Sequence, residues 1–309
     1  MRAVLVAVIA FALLIGGGRA EALRHPGAPR CPVFPASNPW NQRVDRLPVA
    51  ANSDAIIRSI GPDETMHADF GSGLWEGGPI GIPITVVRRH SKTRSVRVAF
   101  EYADESNRGP YPIPSNIKIE GGRHSDGDRH ALIVDRDNCR LYELFALYPT
   151  AGGGWRAGSG AIWNLRSNRL RPAGWTSADA AGLPILPGLA RYDEVARGKI
   201  DHALRFTVRR TRRAYVYPAR HFAGDSNDAS LPPMGLRLRL KASYPTTGFG
   251  FPRQARIVLE ALKRYGMLVA DNGSDWHVTG APDPRWSNEQ LHTLHRVPGS
   301  AFEVVRTRR

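Results

Sequence analysis

Four polar residues of the chain have side chains suited to proton transfer or metal binding: His130, Glu143, His202 and His221. Histidine and carboxylate side chains act as general acids and bases when they are positioned against a substrate. The same groups bind transition metals through imidazole nitrogen and carboxylate oxygen atoms. A third alternative is that all four are hydrogen-bonded polar residues at strand ends, in a protein that binds without catalysing a reaction. The strands that carry them decide whether they can meet.

His130 and Glu143 lie in two neighbouring segments rich in β-branched and aromatic residues, His130–Asp135 and Arg140–Phe145. Such residues favour strands, and the stretch containing Asp and Asn between them favours a turn. Pairing the two ends of this turn places Leu132 opposite Glu143. Because strand side chains alternate between faces, His130 and Glu143 become diagonal neighbours on an otherwise apolar face. A register slip of one residue would break this arrangement.

A second hairpin is predicted for His202–Val208 and Ala214–His221, which flank the basic run 209–213. Pairing across that turn puts His202 opposite His221 at the open end of the hairpin. Directly opposed side chains have Cβ atoms about 4.5–5.5 Å apart. Two imidazoles at that distance are not both protonated without a large cost. At least one should therefore be neutral near pH 7 and able to act as a base or a ligand.

Aromatic and basic residues near these segments are candidates for substrate binding. Trp175, Tyr215 and Tyr217 could stack on sugar rings, although aromatic residues on strands more often belong to the core. Arg205 could hold a substrate carboxylate through two parallel hydrogen bonds, although a solvated position is the simpler alternative. The stretch 149–190 is long for a loop and rich in glycine and tryptophan, so we expect an ordered cover over the cleft.

The N-terminus has the pattern of a secretory signal peptide over residues 1–20: a short basic start, an apolar run and a small-residue exit. The apolar run is shorter than the roughly 20 residues that span a membrane, although an uncleaved anchor is the alternative. The protein is therefore predicted to be secreted, with no membrane span after cleavage. Residues 21–50 form a proline-rich N-terminal arm, and 51–309 a single β-rich domain.

The many short strand-like segments predict a mainly β fold, a β-sandwich or jelly-roll-like arrangement of antiparallel sheets with a few peripheral helices. Strands that do not alternate with long helices argue against a parallel α/β fold. The clearest helix is Pro252–Tyr265, which has one apolar face and ends before Gly266. A further hairpin is predicted for Met267–Asp271 and Asp275–Thr279 around an Asn-Gly turn.

Cys31 and Cys139 are the two cysteines of the chain. In an exported protein they predict one disulfide. This bond would clamp the N-terminal arm over the central hairpin and stabilise the fold by about 2–4 kcal/mol. No paired Cys-x-x-Cys or Cys/His zinc pattern is present.

The formal net charge of +15 is carried almost entirely by arginine. A basic surface attracts polyanions, and this favours a polysaccharide or cell-wall glycan, which could be acidic, as the partner of a monomeric protein. No helix-turn-helix, zinc-finger or aromatic RNA-binding signature is present, so nucleic acid is not predicted as a partner.

Three segments, 171–188, 231–240 and 261–274, resemble a set of secreted bacterial proteins of unknown function. The resemblance covers most of the mature chain and implies export and a single unit of this length, but no activity. A looser likeness to jelly-roll polysaccharide lyases and hydrolases is a fold-level analogy, which does not transfer function.

The leading hypothesis is a secreted glycan-active enzyme, a polysaccharide lyase or glycoside hydrolase, that needs no cofactor. Its four predicted catalytic residues lie in a cleft covered by residues 149–190. One alternative is a non-catalytic cell-wall or glycan-binding protein. A second is a metal-dependent, cupin-like enzyme with a divalent transition metal at the His/Glu cluster.

Overall fold

A computed structural model of the protein describes residues 22–88, 95–248 and 250–307. The predicted signal peptide, residues 1–20, lies outside the described residues. Strands outnumber helices, so the predicted mainly β class is confirmed. The strands are β1 (His67–Asp69), β2 (Leu74–Trp75), β3 (Gly78–Pro79), β4 (Ile84–Val87), β5 (Ser95–Val96), β6 (Val98–Phe100), β7 (Tyr111–Pro112), β8 (Ala131–Asp135), β9 (Arg140–Phe145), β10 (Tyr148–Pro149), β11 (Trp155–Ala157), β12 (Ser159–Asn164), β13 (Leu204–Val208), β14 (Arg237–Leu240), β15 (Met267–Asn272), β16 (His277–Thr279) and β17 (Phe302–Val304).

The helices lie mostly around the larger of the two main sheets. The α-helices are α1 (Ser53–Ile60), α2 (Tyr192–Ala196), α3 (Arg253–Arg264) and α4 (Asn288–His292), and short 3-10 helices span Pro39–Asn41, Leu186–Gly188, Thr293–Arg296 and Gly299–Ala301. Helix α3 confirms the predicted helix and buries Val258, Leu259 and Leu262 in the core. Among the described residues, no helix has the length and apolar character needed to cross a membrane.

The larger sheet has six strands in the order β1-β16-β13-β15-β14-β17. It is mixed rather than antiparallel, because β1 runs parallel to β16 and β13 runs parallel to β15. The hairpin predicted for 267–271 and 275–279 is wrong: β13 is inserted between β15 and β16. The reason is tertiary, since Phe206 of β13 is fully buried and its strand gains a partner on each side.

The second predicted hairpin is also wrong. Residues 214–221 form no regular strand, and Tyr215 makes only an isolated bridge to Met234. Pro218 lies inside the predicted strand, and proline cannot donate a ladder hydrogen bond, which explains why the segment does not pair. His202 and His221 therefore do not face one another across a hairpin.

The smaller main sheet has four strands in the order β12-β9-β8-β4 and contains the central hairpin β8–β9. Its predicted register is confirmed: Leu132 lies opposite Glu143, and Asp135 opposite Arg140. The Asp135 carboxylate accepts hydrogen bonds from the backbone N–H groups of residues 137 and 138, which fixes the turn. At the other edge, β4 pairs with β8 in parallel.

The proline-rich arm is fastened at several places along its length, by the disulfide, by Arg237 and by Arg239, which donates to the carbonyl oxygens of Val44 and Leu47. Its first part is held by the predicted disulfide between Cys31 and Cys139, which is confirmed with a Cα–Cα distance of 5.2 Å. Its second part is held by Arg237, which donates to the carbonyl oxygens of Pro39 at 2.7 Å and Gln42 at 2.8 Å. Burial lowers the pKa of Arg237 to about 9. The guanidinium of Arg237 is held inside the protein, where the arm and the carbonyl oxygen of Tyr265 supply its acceptors.

Residues 176–190 connect the two main sheets. Ala181 donates its backbone N–H to Ala270 of β15, and Ala190 donates to Thr279 of β16. The same stretch donates the N–H of Ile185 to the Glu143 side chain on β9 at 2.9 Å. This connection places the backbone of residues 176–180 beside the ends of strands from both sheets.

Candidate functional site

A pocket of about 310 Å³ lies where residues 176–180 pass the ends of β9, β12 and β15. This is near the lower limit of the roughly 300–1,000 Å³ range of small-molecule sites. Four carboxyl groups and one imidazole are among the side chains that line it, and none of its lining residues is a lysine or an arginine. The lining residues are Tyr102, Glu105, Asp128, Phe145, Ser159, Thr176, Ser177, Ala178, Asp179, Ala180, His221, Ala223, Asp271 and Asn272.

Asp179 is fully buried at the base of the pocket and is held by Arg205 from β13. The Nε atom of Arg205 donates to Asp179 Oδ2 at 2.8 Å, and Nη2 donates to Oδ1 at 2.6 Å. The Nη1 atom of Arg205 donates to Thr279 Oγ1 at 2.6 Å. A buried carboxylate and guanidinium in this two-bond arrangement neutralise and orient each other. The Arg205 guanidinium is therefore engaged within the protein rather than presented to a substrate.

Asp271 lies beside Asp179 and shows 23% of its side chain to the pocket. Its Oδ2 atom accepts the backbone N–H of Ala180 at 3.2 Å and lies 3.6 Å from Arg205 Nη2. Burial, followed by the neighbouring Asp179 charge, raises the pKa of Asp271 to about 7, although Arg205 opposes the shift. Asp271 is thus a carboxyl group that can hold a proton near neutral pH and reach the pocket.

His130 lies behind the pocket wall with both ring nitrogens engaged. Its Nδ1 is 2.6 Å from Glu120 Oε2, and its Nε2 is 3.0 Å from the carbonyl oxygen of Ala178. Both partners are acceptors, so both nitrogens carry hydrogen and the ring is an imidazolium. Burial disfavours this charge, but Glu120, assisted by Asp128, outweighs it and raises the pKa of His130 to about 9. His130 supports the backbone of Ala178 and does not line the pocket.

His221 and Glu105 form the other polar side of the pocket. The Nδ1–H group of His221 donates to the carbonyl oxygen of Ala180 at 2.7 Å, which leaves Nε2 facing Glu105 Oε2 at 3.8 Å. Glu105 accepts the backbone N–H of Thr176 at 2.8 Å. About a quarter of each side chain is exposed, 24% for His221 and 28% for Glu105. Both groups can therefore reach a bound molecule.

Two of the predicted catalytic residues lie elsewhere and are fully buried. Glu143 accepts N–H groups from Ile185, Leu186 and Trp163 Nε1, at 2.9 Å for each nearest pair. Burial raises the pKa of Glu143 to about 7, and these hydrogen bonds oppose the shift. Glu143 fastens the connection between the sheets. The predicted common cleft with His130 and His221 is not formed.

His202 is likewise part of the interior. Its Nε2 lies 3.0 Å from Glu194 Oε2, and its Nδ1 lies 2.7 Å from the carbonyl oxygen of Ala203. Arg191 donates to the same Glu194 carboxylate at 2.7 Å. His202 therefore belongs to a buried charged cluster beside α2, because the predicted hairpin that would have carried it to His221 does not exist.

The predicted sugar-binding aromatic residues do not line the pocket. The guanidinium of Arg171 packs over Trp175, with 5.4 Å between Arg171 Cζ and a ring centroid. Tyr215 packs against the core of the six-stranded sheet, and Tyr217 is exposed on a different part of the surface. The aromatic residues that do line the pocket are Tyr102 and Phe145.

Two groups of described residues bring three possible metal-ligand atoms within 4.8 Å: Glu120 with Asp128 and His130, and His130 with Asp179 and Asp271. Both depend on His130. An imidazolium whose two nitrogens donate hydrogen bonds has no lone pair for a metal, and metal ligands must be deprotonated. Asp179 is also committed to Arg205. This arrangement fits a hydrogen-bonded acid–base site better than a metal centre.

The residues that the sequence did not reveal are Asp179, Asp271, Glu120 and Glu105. Asp179 lies in an irregular segment, and Asp271 was assigned only to a strand beside a turn, so neither has a local pattern of catalytic type. The one available signal is chemical. Asp179 and Asp271 are acidic residues in or beside an apolar stretch, where an unpaired charge would be costly.

Comparison with known proteins gives no match to this chain among protein-family models, curated proteins or solved structures.

Proposed function

We propose that the protein is a secreted glycan-active enzyme, and specifically a glycoside hydrolase with Asp271 as its general acid. The observation that carries this proposal is a carboxyl group with a pKa of about 7 that faces a pocket bearing further carboxylates. Hydrolysis of a glycosidic bond commonly uses two carboxyl groups, one protonated and one ionised. When the environments of two carboxyl groups push their pKa values apart, the group with the higher pKa stays protonated and acts as the acid, and the other stays ionised.

In this mechanism, Asp271 donates its proton to the leaving glycosidic oxygen. Glu105 supplies the second carboxylate, which accepts a proton from the attacking water, with His221 Nε2 beside it. The Asp179 charge keeps the proton on Asp271, and Arg205 holds Asp179 in position. Tyr102 and Phe145 offer ring faces on which a sugar can pack.

The charge of the pocket favours a hydrolase over a lyase. A lyase abstracts a proton beside a uronate carboxylate, and that carboxylate needs a cation to neutralise it. Glu105 and Asp128 line this pocket without any lysine or arginine, so the lining offers a uronate carboxylate no such cation. A neutral or amino sugar fits better, and the basic outer surface is left to attract an acidic cell-wall polymer.

The finer fold and location predictions belong to the same proposal. The mainly β class supports a sandwich of jelly-roll type, although the parallel pairs β4–β8 and β13–β15 depart from the expected antiparallel sheets. Secretion is supported by the Cys31–Cys139 disulfide, which persists in oxidising compartments.

The test is release of reducing ends from a panel of neutral, amino-sugar and acidic polysaccharides by the purified protein. We expect hydrolysis of a neutral or amino-sugar polymer, and a loss of about 100-fold or more in Asp271→Asn, the range for general acid catalysis. Asp63→Asn, which removes an exposed aspartate outside the pocket, is the matched control and should retain full activity.

Three outcomes contradict the proposal. Unsaturated products would identify a lyase. Glycan binding without turnover would identify the non-catalytic alternative. Hydrolysis that Asp271→Asn leaves unchanged would place the reaction at another site.

A further inference from the structure

Four histidines pack together at the edge of the six-stranded sheet, away from the pocket. Their ring centroids form a continuous series: His277 lies 4.3 Å from His67, His67 lies 4.5 Å from His295, and His295 lies 4.4 Å from His292. The chain contains ten histidines, so this cluster holds nearly half of them. None of the four lines the proposed catalytic pocket.

The fold brings these residues together in two pairs. His67 on β1 and His277 on β16 are directly opposed on adjacent parallel strands. His292 ends α4 and His295 lies in the following 3-10 helix, so their i, i+3 spacing puts both rings on one side of a helical segment. A strand pair facing a helical pair is a common way to assemble metal ligands.

The ring nitrogens of these four residues differ from those of the interior histidines. His130, His202 and His221 each donate to or face a protein oxygen within 3.0 Å. Within the part of the chain that the structure describes, no protein hydrogen bond engages the ring nitrogens of the cluster. Four imidazoles packed in contact do not all carry charge, and the neutral imidazole is the form that binds metal.

We propose that His67, His277, His292 and His295 form a binding site for a divalent transition metal of the zinc class. Imidazole nitrogen suits Zn²⁺, Cu²⁺ and Ni²⁺, and four protein ligands with tetrahedral geometry are typical of structural zinc. In the stacked orientation, the nitrogens of three rings do not converge within 4.8 Å. The rings therefore rotate on binding, to bring nitrogen atoms about 2.0–2.1 Å from the metal.

The site has a structural consequence that is independent of the proposed glycosidase activity. Among the described strands, β1 is the outermost of its sheet and pairs with β16 alone. A metal held by both strands and by residues 292–295 would clamp this edge to the helical segment. A ligand that binds only the folded protein stabilises it by mass action.

The test uses the full mature chain, with any affinity tag removed and bound metal stripped by a chelator, in calorimetric titrations with ZnCl₂. We expect one Zn²⁺ per chain and an affinity weakened at least about tenfold in His67→Gln and His277→Gln, since even outer-shell changes cost this much. His124→Gln, which removes an exposed histidine outside the cluster, is the matched control and should bind as the wild type.

Two further measurements keep the proposal testable if a strand variant does not fold. His292 is exposed, so His292→Gln should fold normally and still weaken Zn²⁺ binding. The visible spectrum of bound Co²⁺ should show the intense bands of tetrahedral nitrogen ligation and lose them in the same variant. Absence of binding, or binding that none of the cluster variants weakens, would show that the four rings are a packing cluster only.

Discussion

A carboxyl oxygen of Asp271 lies within 4.8 Å of a carboxyl oxygen of the buried Asp179. Arg205 holds Asp179 from the far side with two short bonds and lies 3.6 Å from Asp271. Two carboxyl groups in contact do not both ionise cheaply. Because Asp179 is the one bonded to the guanidinium, the proton remains on Asp271, which is also the one that reaches the pocket.

The first prediction concerns the pH dependence of activity. A general acid works only while protonated, and the pKa of Asp271 is about 7. We expect the rate of glycan hydrolysis at low substrate concentration to fall above pH 7, by about tenfold per pH unit for a single ionisation. Asp179→Asn removes the neighbouring negative charge that raises the pKa of Asp271. The variant also no longer neutralises Arg205, whose positive charge lowers that pKa. Both effects lower the pKa of Asp271. The alkaline limb of the profile should move to lower pH.

A pH profile that is flat across this range would contradict the role of Asp271. So would an alkaline limb that Asp179→Asn leaves in place or moves upward. Asp63→Asn changes a surface carboxyl group and should reproduce the wild-type profile.

The second prediction separates Glu143 from the catalytic residues. Its two oxygens accept N–H groups from Trp163, Ile185 and Leu186. Glu143→Gln turns an NH₂ group toward these donors, so the variant should lose about 1–3 kcal/mol of unfolding free energy, the usual cost of an unsatisfied buried donor. Urea denaturation measures this loss.

The same variant should keep the wild-type catalytic efficiency at a temperature where it is fully folded, because Glu143 does not line the pocket. An active-site role for Glu143 would instead appear as a drop in turnover of about 100-fold without a comparable loss of stability.

The central hairpin and its register could be predicted because the residues that determine them are close together in the sequence. The turn residues, the alternation and the strand ends lie within residues 130–145 and agree with one another. The prediction of the second hairpin is wrong although a similar local pattern surrounds residues 209–213. Pro218 prevents regular pairing of the second segment, and the buried β13 pairs with β15 and β16 instead. The disulfide could be predicted from the presence of two cysteines in a chain that is expected to be exported.

The site could not be predicted in the same way. Asp179 comes from a connecting segment and Asp271 from the end of β15, and only the packing of two sheets brings them together. The histidine pair His67 and His277 likewise depends on a parallel pairing of strands distant in sequence. His221 lines this pocket, although the hairpin on which its prediction depended is not formed.

The third prediction concerns the pH dependence of stability. The pKa of His130 is raised from 6.5 to about 9 in the folded protein by Glu120. A raised pKa means that the folded state binds the proton more tightly than the unfolded chain. The stabilisation is therefore complete below pH 6.5 and is lost as pH rises toward 9, on the order of 3 kcal/mol at about 1.4 kcal/mol per pKa unit.

Denaturant titrations at several pH values between 6.5 and 9 measure this loss. In His130→Gln, the decline over that window should be much smaller, with a lower stability at pH 6.5 because Glu120 has lost its partner. His124→Gln should keep the wild-type decline. Equal slopes in all three proteins would mean that His130 is not charged in the folded state.

The fourth prediction concerns two fastenings of the N-terminal arm, the disulfide and Arg237. The Cys31–Cys139 disulfide closes a span of 108 residues, and replacing both cysteines with alanine should cost about 2–5 kcal/mol of unfolding free energy.

The second fastening, the bonds of Arg237 to Pro39 and Gln42, is untouched by that change. The double alanine variant should therefore become sensitive to limited proteolysis within residues 22–36 before it is cut within residues 39–47. Arg237→Met should show the opposite order, since it leaves the disulfide intact and frees the carbonyl oxygens of Pro39 and Gln42. Mass spectrometry of the first cleavage products distinguishes the two patterns, and cleavage that begins at the same place in both variants would show that the arm is held as a single unit.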